Sequence, residues 1–187
     1  HSDRDRVVIA ADIRLETGRL LLRPPRIEDF DGYAELLADV EAARFIGGDA
    51  PRAGAWRRFL QQPGAWFVQG FGMFSVLDRA TGEWLGQTGP WRPEGWPGNE
   101  IGWAFRRAAW GQGYATEATR AAIDWALDNL GWDEFVHCIA PDNLASQRLA
   151  QRLGSTCLLE QNLPAPFEAH RVGVWGQSRA QWRARRA

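Results

Sequence analysis

Two glycines one residue apart, Gly111 and Gly113 in "AAWGQGYATEA" (residues 108–118), stand where a strand-like run gives way to an alanine-rich helical one. A helix start carries backbone N–H groups without intrahelical acceptors, and the aligned peptide dipoles add the equivalent of about half a positive charge there. An anionic group satisfies both, provided that no Cβ blocks its approach. A tight strand-to-helix turn also uses glycine for its own sake, so the pair alone leaves both readings open. Two nucleotide-binding patterns fail on the same residues. The dinucleotide fingerprint needs a third glycine or alanine where this chain has Thr116. The P-loop needs a Gly-Lys-Ser/Thr, and every basic residue of this chain is arginine. An anion at this junction is therefore held by a different fold, late in the chain.

The pattern around the junction defines that fold. "GRLLLRPP" reads as a short strand closed by Pro24 and Pro25, which cannot donate to a ladder. Phe30, Tyr33, Leu36, Leu37 and Val40 recur at helical spacing up to Gly47-Gly48, and a second helical stretch runs from Pro51 to about Gln62. "GMFSVLDRATGEWLGQTGPWR" is a hairpin with Thr81-Gly82 at its tip, and "NEIGWAFR" adds a third strand to make an antiparallel meander. After the glycines, "YATEATRAAIDWALDNLG" is the strongest helix, stopped by Gly131. "EFVHCIA", "STCLLE" and "HRVGVWGQS" are strands, and "DNLASQRLAQRLG" is a helix capped by Asp142 or Asn143. The order β-α-α-β-β-β-α-β-α-β-β makes residues 15–187 one mixed α/β domain, with residues 1–14 a flexible lead-in and "RAQWRARRA" a solvated basic end.

Composition narrows the partners. With 22 basic and 23 acidic residues the chain lacks the bulk positive charge that holds nucleic acid. No apolar run approaches the roughly 20 residues that cross a bilayer, and no basic-then-apolar leader opens the chain, so the expected compartment is the cytoplasm, without membrane contact. The two cysteines and three histidines are scattered without ligand spacing, and no metal is expected. His137, in an apolar strand, reads as a satisfied core histidine, and Glu117 as a carboxylate favoured by the helix dipole.

"NEIGWAFRRAAWGQGYATEATRAAIDWAL" together with "VHCIAPDNLASQRLAQRLG" resembles the GNAT N-acetyltransferase superfamily, and most closely its RimJ/RimL-like branch of ribosomal-protein α-amino acetyltransferases. "LETGRLLLRPPRIEDF" looks like that branch's first strand and helix, and the similarity spans about residues 15 to 178. The resemblance implies a mostly antiparallel central sheet of about seven strands, flanked by helices and splayed where the pantetheine arm of acetyl-CoA lies. It implies that Trp103, Ala104 and Phe105 offer backbone groups to the pantetheine and thioester. The stretch Trp110, Gly111, Gln112, Gly113, Tyr114, Ala115 and Thr116 would wrap the pyrophosphate with backbone N–H groups. Asn143 would contact the pantetheine, and Ser146 would reach the sulfur as donor or proton source. Three positions depart from the family pattern: Ala108 where glutamine or arginine is usual, Arg107 where this branch often has proline, and Ala150 where many members have tyrosine. Tyrosine therefore cannot be the acid that reprotonates the leaving thiolate.

Acetyl transfer from a thioester needs a neutral amine, stabilisation of a developing oxyanion and a proton for the thiolate. An α-amine of pKa ~7.8 is roughly a seventh neutral at pH 7, whereas a lysine near ~10.4 is neutral in about one molecule in a few thousand. Glu100, on the strand leading to the wedge, is the candidate general base, through a water; a structural acceptor is its other reading. Acceptor readings within the transferase class are a protein or peptide α-amino group, leading, and a small-molecule amine. Outside that class stands an acyl-CoA-binding sensor without turnover. Homodimers occur in this branch, and no stretch of the sequence compels one.

Overall fold

The strand signals of the meander and the helical period after Gly113 meet in one sheet with helices on both faces. The computed structural model describes residues 12–186. Of the expected lead-in, residues 1–11 lie outside that range, and Ile13 packs against a core cluster. The strands are β1 (Leu15–Glu16), β2 (Leu20–Arg23), β3 (Phe74–Asp78), β4 (Trp84–Trp91), β5 (Glu100–Phe105), β6 (Glu134–Ile139), β7 (Thr156–Asn162) and β8 (Arg171–Ser178). They form one sheet in the order β1-β2-β3-β4-β5-β6-β8-β7. It has one strand more than the sequence suggests: β1 is two residues long, too short to show a period. All neighbours are antiparallel except β5 and β6, which run parallel and are in register only at Glu100↔Val136.

The helices are α1 (Phe30–Ala38), α2 (Val40–Ala43), α3 (Arg52–Phe59), α4 (Gln61–Gln69), α5 (Tyr114–Leu130), α6 (Leu144–Arg152) and α7 (Arg179–Arg186). Side chains alternate across the sheet. Leu85 and Phe105 join a cluster under Ala118 and Ala122 of α5, while their neighbours Trp84 and Ala104 join Phe30, Leu37 and Phe59 on the opposite face. Ala118, Ala122 and Ala126 are fully buried, so α5 lies close on the sheet.

Three helical readings are corrected. The expected continuous helix before Gly47 breaks at Asp39, whose extended backbone lets its carboxylate accept from the Glu41 and Ala42 amides and cap α2. The expected second helical stretch, from Pro51 to about Gln62, is followed by an unforeseen α4 that contains Pro63 and Gly64, residues of low helix propensity. Pro63 sits in the first turn, where its missing N–H has no intrahelical acceptor to lose. The basic end folds as α7: Arg183 and Arg186 stay exposed, but Trp182 is 1% exposed and donates to Asp124 at 2.8 Å, while Arg183 pairs with Asp128 and Arg186 with Asp124. Its acidic partner is α5 of the same chain. Among the described residues no helix is long and apolar enough to cross a membrane.

Candidate active site

Beyond Glu100↔Val136 the strands β5 and β6 part, and the register with β4 turns the backbone groups of Ile101, Trp103 and Phe105 toward the gap. Side chains span it in place of ladder bonds. His137 on β6 lies 2.8 Å from the Ile101 carbonyl through Nδ1. A carbonyl only accepts, so Nδ1 carries the proton and Nε2 accepts from the Ser155 hydroxyl at 2.9 Å. Burial lowers the His137 pKa to about 4, so the ring is neutral and fully bonded. It is a structural brace.

Glu100 is the second brace. It is 7% exposed; Oε1 accepts from the Trp96 indole N–H at 3.0 Å and Oε2 from the Cys138 backbone N–H at 2.6 Å. Desolvation by burial pushes its pKa up to about 7, against those two donors, which favour the charged form. The carboxyl is thus poised to exchange a proton near neutrality. The Cys138 thiol beside it is pushed up by burial and by the carboxylate, and stays protonated. If Glu100 acts as a base, Trp96→Phe removes one donor to the carboxylate and raises its pKa further. The acid limb of the pH–rate profile should then move up by roughly one unit, the equivalent of about 1.4 kcal/mol for a lost hydrogen bond to a charged group. An unmoved limb would mean that the indole does not tune this carboxylate.

On the far wall, the Trp103 indole donates to Ser146 Oγ at 3.0 Å, and its ring packs on His137 with centroids 4.9 Å apart. The Ser146 amide donates to Asn143 Oδ1 at 3.2 Å, so Asn143 caps α6. The Trp103 N–H occupies an acceptor site on the Ser146 hydroxyl and leaves its proton free to be donated. The sequence assigned only backbone groups to Trp103; the structure gives its side chain the task of orienting Ser146. Ala104 and Phe105 bury their side chains in opposite core faces. Ala150 is fully buried.

At the outer end of the gap the Trp110 indole folds back to donate to the Phe105 carbonyl, 2.9 Å. Gly111 and Gly113 adopt φ of 73° and 78°, and Gly113 is the N-cap of α5. The first α5 amide bonded inside the helix is that of Glu117, to the Gly113 carbonyl at 3.1 Å. Among the described residues, the amides of Gly111, Gln112, Gly113, Tyr114, Ala115 and Thr116 have no acceptor. A Cβ placed on Gly111 would meet no atom within 4 Å, so the approach to these amides is open. The row of donors fits a pyrophosphate, and Gly111 to Thr116 are the residues that would hold it.

No local pattern in the sequence marks what shapes this loop. Arg19, in the turn between β1 and β2, bonds Glu117 at 2.8 Å and the Gln112 carbonyl at 2.9 Å, and lies over the Tyr114 ring at 4.3 Å. Glu117 also accepts from the Thr17 hydroxyl and the Arg19 amide. Its role is a clamp as much as a partner for the dipole.

The match to known proteins agrees with this geometry. Residues 19–156 match the model of the acetyltransferase (GNAT) domain. The uncharacterized protein YkkB of Bacillus subtilis (strain 168) is 32% identical over 151 residues, 77% of this chain and 86% of that protein. The crystal structure of an acetyltransferase from Agrobacterium tumefaciens str. C58 superposes with a TM-score of 0.77 at 29% identity, covering 89% of this chain and 95% of that one. The ribosomal-protein-S5-alanine acetyltransferase of Vibrio fischeri shares the fold, with a TM-score of 0.70 at 16% identity over 91% of this chain and 99% of that one. With its splayed β5–β6 pair and its glycine-cleared helix start, the chain belongs to the GNAT acetyltransferase family.

Proposed function

We propose that this protein is an acetyl-CoA-dependent N-acetyltransferase whose acceptor is the α-amino group of a protein or peptide, as in the RimJ/RimL-like branch. The observation that carries the reading is Glu100: a buried carboxyl at about pKa 7, in the gap whose other wall presents the Ser146 hydroxyl and whose outer end presents a row of open amides. Glu100 receives the proton of the incoming ammonium, through a water. Ser146, with the Trp103 N–H on its oxygen, is aimed to hydrogen-bond the departing sulfur and to relay to it the proton that the attacking nitrogen gives up, so that the hydroxyl is restored. The amides of Gly111 to Thr116 hold the pyrophosphate, and acetyl-CoA supplies the activated acyl group.

The pKa of the base selects among acceptors. Moving a proton from an α-ammonium near ~7.8 to a carboxylate near 7 is uphill by about 1 kcal/mol, whereas a lysine near ~10.4 makes it roughly 4–5 kcal/mol. The fold shared with the Vibrio fischeri protein, whose name gives it a ribosomal-protein alanine as acceptor, supports the same class.

The test is calorimetric titration with acetyl-CoA, followed by thiol release against α-amino peptides, lysine peptides with blocked N-termini, and small amines. Saturable binding is expected, with a kcat/KM for α-amino peptides at least about tenfold above that for lysine peptides. Preference for lysine peptides would sink the acceptor assignment. Release with small amines alone would move it to that class, and binding without release from any acceptor would favour a sensor.

A further inference from the structure

A cavity of about 700 Å³ opens at Gly113 and Thr116, where the row of open amides ends, and continues along α5 toward Arg152 of α6 and Arg186 of α7. Its charges do not balance. Each carboxylate that borders it already has a cation: Glu117 has Arg19 at 2.8 Å, Asp124 has Arg186 at 2.9 Å, and Glu16 is shared by Arg14 and Arg79 at 3.4 Å each. Of the three arginines on its walls, only Arg186 is thereby matched. Arg152 donates through Nε to the Thr116 hydroxyl at 3.3 Å, a neutral partner, and among the described residues Arg120 has no carboxylate within 4.0 Å. Arg120 lies one turn beyond Thr116 on the same helix face. Two uncompensated guanidinium groups therefore flank a cavity that begins at the proposed pyrophosphate site.

We infer that Arg120 and Arg152 bind the 3′-phosphate of coenzyme A and make the protein selective for the 3′-phosphorylated carrier. The inference rests on the acetyl-CoA reading above. The pyrophosphate is served by backbone N–H groups, which suit singly charged diester oxygens. A phosphomonoester differs: with a second pKa near ~6 it carries close to two charges at neutral pH and three strong acceptor oxygens. Guanidinium forks match that geometry and charge. The surplus of two positive charges on the cavity wall equals the charge such a group brings. A ligand ending in an unphosphorylated ribose would leave both arginines with solvent alone.

The experiment is isothermal titration of the full chain at low ionic strength with coenzyme A and with 3′-dephospho-coenzyme A, on wild type and on the Arg120→Gln/Arg152→Gln double variant. Both arginines are exposed, so the variant should fold, and a melting curve confirms it. Wild type should bind coenzyme A at least about tenfold tighter than the dephospho form, the equivalent of two charge-assisted contacts discounted for solvent. In the double variant coenzyme A should weaken to the affinity of the dephospho form, which itself should change by less than about twofold. Equal wild-type affinities for the two ligands overturn the inference and leave the acetyl-CoA reading standing. So does a double variant that keeps the preference, or one that loses both ligands equally. Binding of neither ligand to wild type overturns the acetyl-CoA reading and this inference with it.

Discussion

Gly113→Val should raise the Kd for acetyl-CoA by about 100-fold or more. Two effects combine at this residue. At a φ of 78° a β-branched side chain is held in a conformation costing roughly 1–3 kcal/mol. The side chain also stands among the amides of Gly111 to Thr116. Losing two hydrogen bonds to a phosphate, at about 1.5 kcal/mol each or more, accounts for the hundredfold. The Cβ itself is tolerated inside the protein, since its nearest neighbour is an Arg19 nitrogen at 3.5 Å. The other end of α5 provides the control. Gly131 has a φ of 66°, caps the helix C-terminus and has open space around its Cβ. Gly131→Val should therefore carry the same backbone strain and a similar loss of melting temperature, yet bind acetyl-CoA as wild type does. Equal affinity in the two variants would show that the glycines serve the turn alone.

Glu100→Gln should lower kcat/KM by about 10²–10³, in the range for a general base, and remove the acid limb near 7, leaving only the limb set by the acceptor's own ionisation near ~7.8. The sign follows from the raised pKa. The working form is the carboxylate, which is lost as pH falls through about 7, so the wild-type rate should drop by about a factor of ten per unit below that point. Glutamine has no such ionisation. It also has one acceptor oxygen for the two N–H donors of Trp96 and Cys138, and leaving one of them unpaired costs about 1–3 kcal/mol. A melting curve measures that cost separately. If Glu100 were only a brace between β5 and β6, the variant would lose rate by one factor at every pH and keep the acid limb. That outcome would remove it from the chemistry.

The sequence disclosed what is encoded locally. The Gly-x-Gly start of α5, its Gly131 stop, the hairpin tip at Gly82 and the Asn143 cap each depend on residues within one turn of each other, and each is found in place. What depends on distant contacts was hidden. Arg19 stands 98 positions before Glu117, and no local pattern marks a clamp across that separation. The inward direction of Glu100 follows from the parting of two strands, which no residue type announces. In α7 one tryptophan among arginines shows no apolar period, and it docks through the carboxylates of α5 and the apolar cluster that takes Trp182 against Phe135. Arg120 and Arg152 look like any surface arginines until the other charges around them are matched in pairs.

The parting of β5 and β6 bears on the energetics of recognition. The gap is kept open by hydrogen bonds of the protein's own side chains: a neutral histidine with both ring nitrogens bonded and a carboxylate seated on a backbone amide. Zipping the strands together would require breaking all of these bonds. The opening is therefore preorganised, and a ligand entering it draws little of its binding energy into rearranging the sheet. A closed population would divide its affinity by the fraction of molecules able to receive it, and these bonds disfavour one.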